Sequence, residues 1–469
     1  MSTYQQHRRA CDCCRVRKLK CDGNGESVCS SCRRSSLVCT YAQANKPGPR
    51  GLRTATLRAI AQSRSPNDIA ICTSSIVNRV KLEDLRPVID IYREKLKVVW
   101  PVVDLALIYD RLSDPYPPKE FYALVVAMAL ATISQLHLPE IYPLTARFLI
   151  SEVMRVKSSI PGATLESILT SYFLHTYFSN ERNNTSAFMC LREAIAGLQS
   201  LGLHREETYA NLPPAHEKRL RNFYYMMMIT ERGYSLLYEM PVILEPSIRL
   251  PSVDGVEDEE ERLFMTGFLC LLQIFLAPDR NMIDTWKRPE YACLNHTQRT
   301  VTEIMKVDPL MLTNEAQKVD IFVTQRWMQI LTWQLAVLAG DSHISVTLPE
   351  EVVRSIMAIG ASVSVEAFEV HGPELKFKLY EISSVLADVV LCLPKDCCND
   401  SWLHISADLL HYFIQFVASL RSTEPRKRDG ILGKLIRAME LYNIPTNLMT
   451  LESYDNDKDY HRVSELLDG

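Results

Sequence analysis

Cys11-Asp-Cys-Cys14-Arg-Val-Arg-Lys-Leu-Lys-Cys21 and, after seven intervening residues, Cys29-Ser-Ser-Cys32-Arg-Arg-Ser-Ser-Leu-Val-Cys39 are one pattern written twice. Each copy reads C-x2-C-x6-C. A C-x2-C pair puts two thiolates on one helical turn, close enough to grip a single ion. Tetrahedral zinc takes four ligands, so two ions need eight ligand positions, and the repeat supplies six cysteines. The count closes if two cysteines each bridge both ions. The symmetry of the repeat gives that role to Cys11 and Cys29, the first of each triplet. The expected ligand set is therefore Cys11, Cys14, Cys21, Cys29, Cys32 and Cys39, holding two Zn2+ per chain. A four-cysteine ribbon or a metal-storage tail would not call for a doubled triplet with cations packed between its ligands. Cys13 lies off the C-x2-C face and reads as a spectator.

Seven of the fourteen cysteines fall between positions 11 and 39. Nothing near Met1 has the apolar core of a secretory signal, which favours metal ligation over disulfides. Cys72, Cys190, Cys270, Cys293, Cys392, Cys397 and Cys398 read as buried thiols in helices. The longest apolar run, Phe121 to Ile133, is too short to span a bilayer and predicts a buried helix.

Charge is distributed as unevenly as cysteine. The 469 residues carry a net charge of −4. Residues 1–58 hold twelve Lys or Arg against Asp12, Asp22 and Glu26, which makes +9 there and −13 in the remainder. A small basic head on a large acidic body suits a nucleic-acid binder with a separate regulatory part. Arg15, Arg17, Lys18 and Lys20 lie between the second and third ligands, on what the spacing predicts is a short helix held by metal. Cations near the end of such a helix suit the major groove, where guanine offers two acceptors. The second triplet carries only Arg33 and Arg34, too few for base reading and better suited to phosphate.

The metal module should occupy residues 1–45. Lys46-Pro-Gly-Pro-Arg50-Gly51 breaks the chain, as does Ser65-Pro-Asn-Asp68, so 46–80 reads as a linker with a short helix between the breaks. From 81 to 445 the periodicity is helical. Leu82, Leu85, Ile89, Tyr92, Leu96 and Val99 form one face, ended by Pro101. Phe188, Leu191, Ile195 and Leu198 form another, closed by Gly202 at a C-cap. Leu220, Phe223, Met227, Tyr234 and Tyr238, then Trp327, Ile330, Leu331, Leu335 and Leu338, give two more. The expected fold is a small two-zinc, cysteine-rich DNA-binding module followed by a large all-α regulatory domain. Residues 446–469 form an acidic tail, either an activation segment or a solvated terminus.

The stretch Cys11 to Asp22 resembles the fungal binuclear zinc cluster transcription factors. In that family the residues aligned with Arg17 and Lys18 meet a CGG-type triplet, and those aligned with Cys11 and Cys29 bridge the metals. One departure is the absence of the Pro that often precedes the fourth cysteine; Gly23 and Gly25 are candidates to supply the turn. Farther on, Ile91-Tyr-Arg-Glu-Lys-Leu-Lys-Val-Val-Trp-Pro101, Gly202-Leu-His-Arg-Glu-Glu-Thr-Tyr209, Thr230-Glu-Arg-Gly-Tyr234, Arg326 to Trp333 and Val370-His-Gly-Pro373 resemble the yeast maltose-utilisation activators. Residues 186–241 are similar to a middle region shared more widely by fungal zinc cluster factors.

That resemblance implies a nuclear, zinc-dependent factor for RNA polymerase II. It implies double-stranded DNA and the transcription machinery as partners, an activator role in maltose or α-glucoside utilisation, and a small sugar inducer. It also implies binding to paired triplets as a homodimer, although no sustained heptads follow the cluster. A regulator, activator or repressor, of another nutrient pathway is the alternative. An enzyme carrying zinc for structure alone is the reading from another class. Against it, the body holds no phosphate loop, no dinucleotide-binding glycine pattern and no H-E-x-x-H. Asp455, Asp457 and Asp459 resemble the start of a calcium loop, but Tyr460 stands where glycine is needed. His204 to Glu207 read as a helix-end salt-bridge group, and Trp327 and Trp333 as core.

Overall fold

The computed structural model describes residues 10–23, 27–41, 79–139, 144–287, 294–341, 344–392, 400–421 and parts of 433–441. The chain divides into two units, Met1–Val77 and Asn78–Gly469. The short helix expected between Leu52 and Arg64 and the acidic tail lie outside the described residues. No β-strand occurs among the described residues.

Among its described residues the first unit has two one-turn helices, α1 (Asp12–Val16) and α2 (Ser30–Arg34). Its core is sulfur: Cys11, Cys14, Cys29 and Cys32 are buried together, with Cys13, Cys21, Cys39 and Tyr41 packed against them. Five-residue helices are far below the length that is stable alone in water. Something other than helix propensity must hold them.

In the second unit the Phe121–Ile133 run lies within α3 (Lys119–Gln135), in which every residue from Phe121 to Gln135 is buried. A helix apolar on all sides must be surrounded. Its neighbours are Ala146–Lys157, the segment 82–96 and α4 (Leu165–Asn180), itself capped by a reciprocal Thr164–Ser167 box. Next come α5 (Asn184–Ser200), α6 (Pro214–Tyr238) and α7 (Glu259–Leu276). A second group comprises α8 (Glu315–Leu338), α9 (Leu348–Gly360), α10 (Gly372–Cys392) and α11 (Asp400–Ser419). Helix α10 packs against α8, α9 and α11 and also meets α4, which joins the two groups into one core.

Most predicted faces are buried: Leu191, Ile195 and Leu198; Leu220, Phe223, Met227 and Tyr234; Trp327, Ile330 and Leu335. Leu338, in the last turn of α8, is instead 68% exposed. The face expected over 82–99 is not one helix. It runs as a 3-10 turn (Leu82–Leu85), an α-turn (Arg86–Ile91) and a π-turn (Tyr92–Leu96), closed by Lys97 N–H donating to Tyr92 O at 2.8 Å. Leu82, Leu85, Ile89, Tyr92 and Leu96 are all buried. Gly202 caps α5 as expected, with φ 71° and a Leu203 N–H to Leu198 O bond of 3.1 Å. This is the paired closure that a left-handed residue permits.

Candidate metal centre and nucleic-acid interface

The sequence repeat is also a repeat of contacts. Cys14 N–H donates to Cys11 Sγ at 3.4 Å, and Cys32 N–H donates to Cys29 Sγ at 3.4 Å. Cys11 N–H reaches Cys21 Sγ at 3.4 Å, and Cys29 N–H reaches Cys39 Sγ at 3.5 Å. Both helices end alike. Leu19 N–H bonds to Cys14 O (2.9 Å) around Lys18 at φ 54°, and Leu37 N–H bonds to Cys32 O (3.0 Å) around Ser36 at φ 52°. Each closure turns the chain back so that the third cysteine of its triplet returns to the first.

The six sulfurs then form two groups of four, each within 4.8 Å of one another: Cys11, Cys14, Cys21 and Cys29, and Cys11, Cys29, Cys32 and Cys39. Cys11 and Cys29 belong to both. The Cys11–Cys29, Cys11–Cys32 and Cys14–Cys29 sulfur separations are 3.7, 3.6 and 3.6 Å. A Zn–S bond of about 2.3 Å in a tetrahedron gives an edge of about 3.8 Å. The donor set therefore fits two thiolate-bound zinc ions that share two ligands. Cys13 is half-buried and belongs to neither group.

The thiols are not equivalent. Cys21 is drawn down to about 7, first by the N–H of Cys11 and then by that of Gly23, and Cys39 is lowered by the N–H of Cys29. Cys11 also receives an N–H, from Cys14, yet burial among other sulfurs pushes it up to about 12; burial raises Cys14 and Cys32 as well. Packing neutral thiols this closely wastes the N–H groups aimed at them. A divalent cation converts the same arrangement into satisfied thiolates.

Polar contacts outside the sulfurs close the module. Asp22 Oδ1 accepts the Ser30 N–H at 2.9 Å at the start of α2, and this hydrogen bonding with Ser30 lowers its carboxyl. Thr40 Oγ1 donates to Asp12 Oδ2 at 3.0 Å, and Tyr41 donates to Ser27 O at 3.2 Å. Gly23 differs from expectation: its φ lies outside the left-handed region, and a Cβ there would fall 1.7 Å from the Tyr41 hydroxyl and 3.2 Å from Cys29 Cβ. It is needed for close approach rather than for a turn. Gly25 lies outside the described residues.

Arg17, Lys18, Lys20, Arg33 and Arg34 are all exposed. The helix expected beneath the first group is shorter than predicted. It ends at Val16, so it includes Arg15 but not Arg17, Lys18 or Lys20. The reason is the left-handed closure at Lys18, without which Cys21 could not return to the cluster. Lys18 is thereby fixed at a helix C-terminus, where a cation is favoured. Asp22 ends the stretch that carries the resemblance, and Tyr41 follows the last cysteine of the repeat by two residues; their hydrogen bonds appear only once the loop is closed.

The profile of the fungal Zn(2)-Cys(6) binuclear cluster domain matches residues 9–48. A probable sucrose utilization protein of Candida albicans is 31% identical over 462 residues, covering 92% of this chain and 88% of the relative. The chain belongs to the fungal binuclear zinc cluster regulators. A maltose fermentation regulatory protein of Saccharomyces cerevisiae is 28% identical over 439 residues, 88% of this chain and 89% of the relative. A respiratory transcription factor of the same yeast is 25% identical over 475 residues, 97% of this chain and 98% of the relative. No solved structure matches the chain. Zinc cluster factors of this family bind DNA and act on transcription, and their cluster holds two zinc ions. No helix among the described residues is long and apolar enough to cross a membrane.

Elsewhere in this zinc cluster regulator the singled-out residues are structural. Glu206 pairs with Arg221 and accepts the Arg249 N–H at 2.8 Å; the Arg221 guanidinium is the main reason its carboxyl falls to about 2. Trp327 is fully buried with Nε1–H on Glu381 at 2.7 Å, and Trp333 is half-buried with Nε1–H on Ser345 O at 2.8 Å.

Proposed function

We propose that the six cysteines Cys11, Cys14, Cys21, Cys29, Cys32 and Cys39 ligate both zinc ions, Cys11 and Cys29 as bridges. Arg17 and Lys18 then read a CGG-type triplet in the major groove, Arg15 and Lys20 support that contact, and Arg33 and Arg34 grip phosphate. The observation that carries this reading is the pair of four-sulfur groups sharing Cys11 and Cys29, with Arg17, Lys18, Lys20, Arg33 and Arg34 exposed on the same small frame. The chain acts in the nucleus on RNA polymerase II genes, as a homodimer on paired triplets. Relatives named for maltose fermentation and sucrose utilization support a role as activator of maltose or α-glucoside utilisation genes. The relative named as a respiratory transcription factor supports the alternative of another metabolic pathway. No catalytic step is assigned to the chain.

Lys18→Ala is expected to cost about 1–3 kcal/mol on the cognate duplex and to relax preference within the triplet. Arg33→Ala should weaken all duplexes alike and reduce the salt slope by about one. A competition assay at two salt concentrations separates the two; identical behaviour of the variants would reject the division of roles. Pathway is tested by reporter transcription in a strain lacking the chain, with and without maltose. Maltose-dependent activation that requires this chain supports the sugar reading, and a response indifferent to maltose rejects it.

A further inference from the structure

The body encloses a cavity of about 100 Å³ whose walls come from both helix groups, α4, α6 and α7 on one side and α8 and α10 on the other, with Trp100 at one edge. A single ordered water needs roughly 10–15 Å³ on this measure, so the space suits a ring-sized molecule rather than one or two waters.

The lining is mixed in the manner of a ligand site. Trp100, Tyr172 and Phe275 supply aromatic surface, and Ser179, His175, Thr176 and Thr230 supply polar groups. Ser179 is 8% exposed and its hydroxyl has no hydrogen-bond partner. A buried, unsatisfied hydroxyl is costly, and in a native structure it calls for an explanation. His175 is 2% exposed, and its Nδ1 lies 3.0 Å from Ala187 O, so this nitrogen carries the proton. Burial drives the ring's pKa down to about 4, which leaves Nε2 as an acceptor. The Thr176 and Thr230 hydroxyls donate back to Tyr172 O and Met226 O, so each oxygen keeps accepting capacity.

Charge in the cavity decides what class of molecule fits. Lys378 Nζ already serves Thr324 Oγ1 at 2.8 Å and Asp320 Oδ1 at 3.6 Å. Glu374 is the other carboxyl in the lining, and burial raises its pKa. Among the described residues of the lining no uncommitted cation is left to meet an anion, and Asp320 and Glu374 would oppose one. Aromatic faces with dispersed hydroxyl donors and acceptors suit instead a neutral, polyhydroxylated ring.

We propose that this cavity is the effector site of the body and takes a neutral pyranose ring, one glucosyl unit of an α-glucoside, held between α4 and α6 and the start of α10. The class of ligand rests on the sugar reading above; the location rests on the cavity itself. A ligand touching α4, α6, α8 and α10 together would favour whichever packing of the two groups closes on it.

Two variants of the full, zinc-loaded chain test the site by calorimetry with maltose and methyl α-D-glucopyranoside as probes, and with glucose 6-phosphate as the charged control. Ser179→Ala removes a hydroxyl that has no partner, so the thermal midpoint should hold while affinity for both neutral probes falls about five- to tenfold. Gly233 lines the cavity, and a Cβ there meets Phe275 at an ordinary 3.8 Å, so Gly233→Met fits at its root and fills the space beyond. Its binding should be abolished, and glucose 6-phosphate should not bind any form. Neutral sugars that bind both variants as they bind the natural chain would overturn the site and leave the sugar reading intact. A chain that binds no sugar while its reporter still answers to maltose would do the same. Should the reporter ignore maltose, the sugar reading fails; loss of methyl α-D-glucopyranoside binding in Gly233→Met would still uphold the site.

Discussion

Replacing Cys29 with Ser is expected to remove zinc from both positions at once, whereas Cys39→Ser should spare one. Cys29 sits in both four-sulfur groups and Cys39 in only one. Among the described residues of the first unit, the buried core is the cysteines with Tyr41 packed against them, and the two helices α1 and α2 are five residues each. Zinc must therefore supply nearly all of its folding free energy, on the order of 10–16 kcal/mol per structural site. If Cys29 bridges two ions as proposed, its loss would expose both to water and remove the shared edge between α1 and α2. Native mass spectrometry should count two zincs in the natural chain, none in Cys29→Ser or Cys11→Ser, and one in Cys39→Ser. Specific DNA binding should vanish with the bridges. Cys13→Ser should leave the count at two. A Cys29→Ser chain that keeps one tightly held zinc would show that the groups are separate sites without shared ligands.

The second large effect is expected in the body. Glu231 is 1% exposed on α6 and accepts the N–H groups of Ile243 and Leu244 at 2.9 and 2.7 Å, and it also receives the Arg192 guanidinium. The adjoining Arg232, 2% exposed, turns the other way and donates to the carbonyls of Phe275 and Pro278. One helical turn thus fixes the loop after α6 and the end of α7 by two opposite charges. Glu231→Ala strands the buried N–H of Leu244 and the part-buried N–H of Ile243, and leaves the largely buried Arg192 guanidinium with only the Pro241 carbonyl. The expected loss is about 3–5 kcal/mol, read as a lower urea midpoint at unchanged slope. Glu231→Gln keeps one acceptor oxygen and should lose less. Equal stability of Glu231→Ala and the natural chain would mean that this carboxylate does not hold the loop.

Thr230-Glu-Arg-Gly-Tyr234 was legible in the sequence as a point of resemblance, but not as this device, because the partners of both charges are mostly backbone groups, which side-chain type does not mark. The pair of four-sulfur groups was legible for the opposite reason. The spacing of the cysteines is local, ligand arithmetic calls for two shared residues, and the symmetry of the repeat points to Cys11 and Cys29, the two that belong to both groups. The length of α1 was misread because left-handed closure at Lys18 has no mark in side-chain type; glycine or asparagine would have signalled it, and lysine does not. Likewise the tryptophans singled out by spacing, Trp327 and Trp333, do not line the cavity, whereas Trp100 does. Periodicity finds the face a residue occupies on its own helix. It does not find the space left between helices.

Two zincs that share two cysteines should create the surface that reads DNA, and following zinc content and duplex binding together as chelator is added to the full chain decides it. Two zincs per chain are expected, with preference for a CGG-containing duplex over its scrambled counterpart, and that preference should fall in step with the metal. A count of one, or preference for the CGG duplex that survives complete removal of zinc, would contradict it.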